Sequence, residues 1–200
     1  MCIRDRIKIY SQDNVLIGQY GVERREFTKI DDFPEILKYA VLAAEDKHFY
    51  KHKGFDVAGI SRAFISNFLT GHVSQGASTI TQQVAKNFFL SNEKTYKRKF
   101  YEILLALKIE MNLRKDQILE LYFNQIYLGQ KAYGFTAASE AYFGKPVKYL
   151  TVAEVAMLAG LPKAPSAFNP IVNPERARKR QLYVLQNMLS LSLIHISEPT

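Results

Sequence analysis

Cysteine and tryptophan are nearly absent: the 200 residues hold one cysteine, Cys2, and no tryptophan. A single thiol excludes an internal disulfide, so cysteine usage does not reveal the redox compartment. Long apolar runs are missing too. No window reaches the ~18 consecutive apolar residues of a membrane-spanning helix, and no secretory leader is visible. Seven prolines and ten glycines are too few for a linker-dominated or fibrous chain. Several local signatures do not occur: a P-loop, a G-x-G-x-x-G fingerprint, an Asp-x-Asp pair, H-E-x-x-H, a Cys/His zinc cluster and a G-x-S-x-G elbow. Nucleotide-dependent and zinc-dependent chemistries are therefore disfavoured.

What is present is globular: 48% hydrophobic and 23% charged residues, with a mean hydropathy of -0.15. The length suits one domain, or one with a small lobe. The formal charge of +8 favours a polyanionic partner: nucleic acid, anionic lipid headgroups or a phosphate-bearing substrate. Both ends (MCIRDR and LSLIHISEPT) read as translated adapter sequence and are left out of the fold. They carry +1 and -1, so the charge of the remainder is unchanged. The expected organisation is a non-native leader over 1–6, a short β-rich lead-in over 7–30, one mainly helical domain over 31–190 and a non-native tail over 191–200.

Alternation from Ile7 to Ile30 around Asp13-Asn14 predicts a short, imperfect hairpin. Helical periods follow. Pro34 fits a first turn before an apolar face of Ile36, Leu37, Ala40, Val41 and Ala44. Val57, Ile60, Phe64 and Phe68 form a second stripe. Ser78 or Thr79 can cap a helix burying Ile80, Val84 and Phe88, with Gln82 three residues past Thr79 as a capping-box partner. The longest helix, Glu93 to Asn112, would turn Tyr96, Phe100, Ile103, Leu104, Leu107 and Met111 inward. Helices over 116–128 and 135–143 come next. Thr151 with Glu154 caps another, which ends at Gly160-Leu161-Pro162, and Asn173-Pro174 starts the last.

Four features can carry chemistry, and each has a plainer structural reading. Glu45 and Asp46 end a helix, where the partial negative charge disfavours another anion and would raise the pKa of Glu45. Equally, they are a solvated acidic pair. His52 can orient a loop or bind a ligand, or simply be structural. Gly76 to Gln83 leads into a helix start whose free N–H groups suit phosphate, with Lys86 deeper; an ordinary hydroxyl cap is the alternative. Lys94, Arg98 and Glu102 share a helix face with Lys99 adjacent: a cationic strip for a pyrophosphate, or an exposed ion-pair face.

Taken in order, these pieces resemble one family. Glu45-Asp46-x-x-Phe49-x-x-His52-x-Gly54, Gly76 to Gln83, and Arg98-Lys99-x-x-Glu102 are similar to the first three signatures of the peptidoglycan glycosyltransferases. The fourth is Lys115-Asp116-Gln117-Ile118-Leu119-Glu120-x-Tyr122-x-Asn124-x-Ile126-Tyr127-x-Gly129, with Phe123 where leucine is usual. The fifth runs from Ala137-Ala138 through Tyr142-Phe143-Gly144-Lys145 to Glu154 and Leu158-Ala159-Gly160-Leu161-Pro162. The likeness covers about Ile7 to Met188, and its start and end look most like class A penicillin-binding proteins.

The resemblance implies a mainly α, lysozyme-like helical domain with a small membrane-facing jaw lobe at about 55–75. It implies lipid II and a lipid-linked glycan chain as substrates, no nucleic acid, and an inverting transfer to a sugar 4-hydroxyl. The place of action would be the outer (periplasmic or extracellular) face of the bacterial cytoplasmic membrane. An anchor would precede Ile7, and other cell-wall synthesis proteins would be partners. Glu45 and Glu102 would be catalytic, Glu45 as general base. Substrate contacts would fall on Asp46, His52, Ser78, Thr79, Gln82, Gln83, Lys86, Asn87, Lys94, Arg98, Lys99 and Asn124. A divalent cation, magnesium or manganese, is compatible but not required, and Glu102 is expected to orient cations rather than ligate a metal. The rival readings are a lysozyme-like glycan hydrolase, which has no need of a pyrophosphate cradle, and a basic binding module without turnover.

Overall fold

The alternating stretch at the front forms a two-stranded antiparallel hairpin, β1 (Ile7–Tyr10) with β2 (Leu16–Tyr20), in which Ile7 faces Tyr20. The computed structural model describes residues 7–13, 16–20, 24–56, 78–90 and 95–191. The leader, nearly all of the tail, the stripe from Val57 to Phe68, the jaw lobe from 57 to 75, Gly76 and Lys94 lie outside the described residues. After the hairpin, β3 (Arg24–Arg25) pairs in parallel with β4 (Ala132–Tyr133). Two-residue strands have no alternation to read, and this pairing was not foreseen. It is secured by side chains: the Arg25 guanidinium lies 4.1 Å from the centre of the Tyr133 ring.

From residue 30 onward the described residues are mainly helical, in keeping with a mainly α fold. Helix α1 (Glu35–Glu45) buries Leu37, Ala40, Val41 and Ala43. Pro34 stands just before its first turn rather than in it, with a φ of -56° that leads into the helix. The helix stops at Glu45 because Asp46 leaves the helical region, at φ -155°. Thr79 opens α2 (Ile80–Phe89) with the expected capping box. Next come α3 (Tyr96–Asn112), capped by Thr95, and α4 (Lys115–Gln125). Then follow α5 (Phe135–Phe143), α6 (Val152–Gly160) with its Thr151–Glu154 capping box, and α7 (Pro174–Ser190), which has proline in its first turn. Helices α1, α6 and α7 pack together, while α2 lies against α3 and α4.

One expected face is reversed. Tyr96, Phe100, Leu104 and Met111 are exposed, Tyr96 at 98% and Met111 at 84%. The residues α3 does bury are Glu102 and Ala106. The helix is amphipathic as read, but its charged side turns inward, where Glu102 pairs with both Arg98 and Lys99 and Lys99 reaches Ser78 at the start of α2.

The core centres on Phe33, Phe123 and Phe135, with Phe123 edge-on to Phe33 at 5.0 Å and 4.7 Å from Phe135. Each such ring contributes about 1.5–3 kcal/mol by leaving water. The unusual Phe123 thus fills the middle of the domain. Gly134, at φ +82°, lets the chain enter α5 beneath α4: a Cβ there would come within 2.8 Å of the Asn124 carbonyl oxygen.

Candidate active site

The end of α1 delivers Glu45 into a nearly closed setting, its side chain 10% exposed. Gln83 Nε2 on α2 donates to Glu45 Oε2 at 3.0 Å. Arg180 on α7 donates to Oε1 at 3.2 Å. Burial pushes the Glu45 carboxyl above its ordinary range, and the Gln83 hydrogen bond and the charges of Arg180 and Lys163 only partly offset it. The helix-end field was the expected cause; the cause the structure shows is desolvation.

Arg180 was missed in the sequence. Its Nε donates to the Gly160 carbonyl at 3.3 Å, and its guanidinium lies 4.7 Å from the Tyr183 ring centre. A Cβ on Gly160 would meet Arg180 Cγ at 2.9 Å, so this close crossing of α6 and α7 requires glycine. The signal was available: Ala177, Arg180, Val184 and Met188 are the buried residues of α7, a helical stripe with one cation inside it.

Asp46 faces the other way. It accepts from His52 Nε2 at 2.9 Å and from the Ile80 backbone N–H at 3.1 Å. The carboxylate can only accept, so the imidazole proton sits on Nε2. Asp46 is thus the anion at the start of α2. This corrects the expected phosphate cradle of free N–H groups: Asp46 takes that of Ile80, and Thr79 Oγ1 takes that of Gln82. Thr79 also donates to the Gly54 carbonyl at 2.7 Å, and its own N–H goes to Gln82 Oε1.

Asn124 is likewise committed. It accepts from the Thr28 N–H and donates to the carbonyls of Thr28 and Glu120. Asp46, His52, Thr79, Gln82 and Asn124 were expected to touch substrate. In the structure each makes framework hydrogen bonds; Asp46, Thr79, Gln82 and Asn124 are buried, and His52 Nδ1 is buried with no partner among the described residues.

The remaining candidates gather around α2. Lys99 Nζ donates to Ser78 Oγ at 2.9 Å and to Glu102 Oε1. Arg98 donates to Glu102 Oε2 at 3.0 Å, and its Nε has no hydrogen-bond partner among the described residues. Both Glu102 oxygens therefore hold cations, which leaves Glu102 poorly suited to ligate a metal. Among the described residues, no group of three or more His, Cys, Asp or Glu side chains could hold one. The donor set of the described residues does not fit a resident divalent ion. Lys86 and Asn87 are exposed and continue the Gln83 face of α2 at the i+3 and i+4 positions. Ser78, just before α2, and Gln83, within it, tie the cation cluster and Glu45 to the same helix.

Comparison with known proteins finds a family for this helical domain. Residues 13–189 match the model of the family described as transglycosylase. The chain belongs to the transglycosylase family. It is 65% identical over 192 residues to penicillin-binding protein 1A of Neisseria gonorrhoeae, covering 96% of this chain and 24% of that protein. Penicillin-binding protein 1A of Pseudomonas aeruginosa is 52% identical over 188 residues, or 94% of this chain and 23% of its own length. The crystal structure of penicillin-binding protein 1A from Haemophilus influenzae superposes with a TM-score of 0.53 at 28% identity, over 98% of this chain and 19% of that one. This transglycosylase-family chain spans about a quarter of the length of the curated relatives it matches.

Proposed function

We propose that this chain polymerises lipid II into glycan strands, with Glu45 as the general base. The observation that carries the reading is Glu45 itself: buried, of raised pKa, and held at both oxygens without using all their lone pairs. An alcohol is a weak nucleophile, so a base must stand within about 3 Å of its proton. Glu45 takes the proton of the acceptor's 4-hydroxyl, and the oxygen forms a bond to the donor's anomeric carbon from the face opposite the leaving group. The bond from that carbon to the pyrophosphate oxygen breaks, and its electron pair leaves with the polyprenyl pyrophosphate. The configuration inverts.

The departing pyrophosphate gains negative charge, which fixed cations stabilise best in a water-poor site. Lys99 and Arg98, oriented by Glu102, and exposed Lys86 are suited to this, with Ser78 as a hydroxyl partner. Glu102 acts here as a positioning residue. The cationic strip supports transfer over hydrolysis, since a hydrolase has no diphosphate to hold.

The exposed face of α3, together with Phe89, offers apolar surface flanked by lysines, as suits a membrane interface on the outer face of the cytoplasmic membrane. No described helix is long and apolar enough to cross a membrane. The test is incubation of the chain with lipid II in detergent, with and without a divalent ion. Lengthening glycan supports the proposal; shortening of preformed glycan with no polymer made would overturn it.

A further inference from the structure

Behind Glu45 a short relay of side chains runs into the core. Gln83 Nε2 donates to Glu45 Oε2 at 3.0 Å, and Gln83 Oε1 accepts from the Tyr122 hydroxyl on α4 at 3.3 Å. Tyr122 is 1% exposed. Burial, followed by the negative charges of Glu45 and Asp46, pushes its phenol well above the usual range. It therefore stays a neutral donor throughout any working pH.

A primary amide has two ends of nearly the same shape, one donating and one accepting, and only its neighbours decide which end faces a carboxyl group. With nitrogen toward Glu45, the amide stabilises the ionised carboxylate. With oxygen toward Glu45, it stabilises the protonated acid and opposes the anion. We infer that Tyr122 is a positioning residue for Glu45: its hydroxyl holds Gln83 with the donating end toward the carboxylate and so keeps that carboxylate able to accept a proton. The Tyr122 bond is long for an O–H···O contact, so its strength is small. Its effect is on a choice between two orientations, where about 1 kcal/mol already gives a several-fold bias.

The charged groups that face Glu45 are Arg180 on α7 and Lys163 in the turn after α6, while Asp46, next to it in the chain, is turned to His52 and Ile80. None of them changes in a Tyr122→Phe variant, which also keeps the ring and its packing. The inference rests on the reading of Glu45 as the base, and the experiment separates the two.

The midpoint of Glu45 is followed by infrared difference spectroscopy of its protonated carbonyl band, identified by loss of the band in Glu45→Gln. The acid limb of lipid II polymerisation is measured alongside it. Tyr122→Phe should raise the Glu45 midpoint by roughly half to one pH unit, and the acid limb should move with it. The lost kcat should return at higher pH with KM unchanged. In a Gln83→Leu background, adding Tyr122→Phe should produce no further shift, because the effect passes through Gln83. An unmoved midpoint, or an equal shift without Gln83, overturns the inference. A raised midpoint with an unmoved acid limb sustains the Tyr122 effect and removes Glu45 as the base. In the unsubstituted protein, nuclear Overhauser contacts should place the Gln83 amide protons nearer Glu45 than the Tyr122 ring; the reverse placement overturns the inference without any variant.

Discussion

Glu45, the proposed base, shows how a residue's surroundings follow from where its helix ends. Burial favours the protonated carboxyl. Arg180 and Gln83 bring it back toward ionisation without restoring an ordinary carboxylate. Activity should therefore rise with pH through an acid limb lying above the usual carboxylate range, seen in pH profiles of initial polymerisation rate. An acid limb at the ordinary value contradicts this. Removing Arg180 should also be severe. Arg180→Met leaves a buried carboxylate without its cation and should cost about 3–5 kcal/mol near neutrality. The sign with pH follows from linkage. A group whose folded pKa is raised favours folding below its unfolded pKa and loses that contribution as pH rises through its folded value. The deficit of Arg180→Met should therefore shrink as pH falls and Glu45 takes up its proton, which denaturant unfolding at several pH values would show. Of the residues around Glu45, Gln83 was legible from its motif, whereas Arg180 stood in plain view as a cation inside an apolar stripe.

At the scale of elements, helix starts were the most legible feature. Thr79–Gln82 and Thr151–Glu154 are capping boxes because both partners lie within four residues, so the pattern and the geometry coincide. Thr79→Ala should cost about 1–2 kcal/mol by urea unfolding, and it should lower polymerisation by loosening the helix that carries Gln83. Thr151→Ala, far along the chain from Gln83, should cost a similar amount and leave kcat near the unsubstituted value. Equal losses of kcat in the two variants would contradict the assignment of α2 as the element that places the site. The orientation of α3 was not legible. Periodicity shows that a helix has two unlike faces, but which face turns inward depends on Ser78 and the α2 start, contacts made across the chain. The same holds for the backbone N–H of Ile80, taken by Asp46 from 34 positions away.

For the whole molecule, the formal charge of +8 and the outward apolar face of α3 point to a surface that is both anionic and greasy. Binding to vesicles containing anionic lipid should weaken as ionic strength rises. Phe100→Glu with Met111→Glu should weaken it further, while shifting stability by less than about 1 kcal/mol because both positions are exposed. Vesicle binding unchanged by both salt and these substitutions contradicts a membrane-facing α3. The measurement that bears most directly on the account is a paired assay of Glu45→Gln: affinity for lipid II and yield of glycan polymer. Glutamine keeps the shape and the hydrogen-bonding reach of the side chain but cannot take up the hydroxyl proton. Binding close to that of the unsubstituted chain with no polymer is the predicted result; polymer formed at the unsubstituted rate would contradict it.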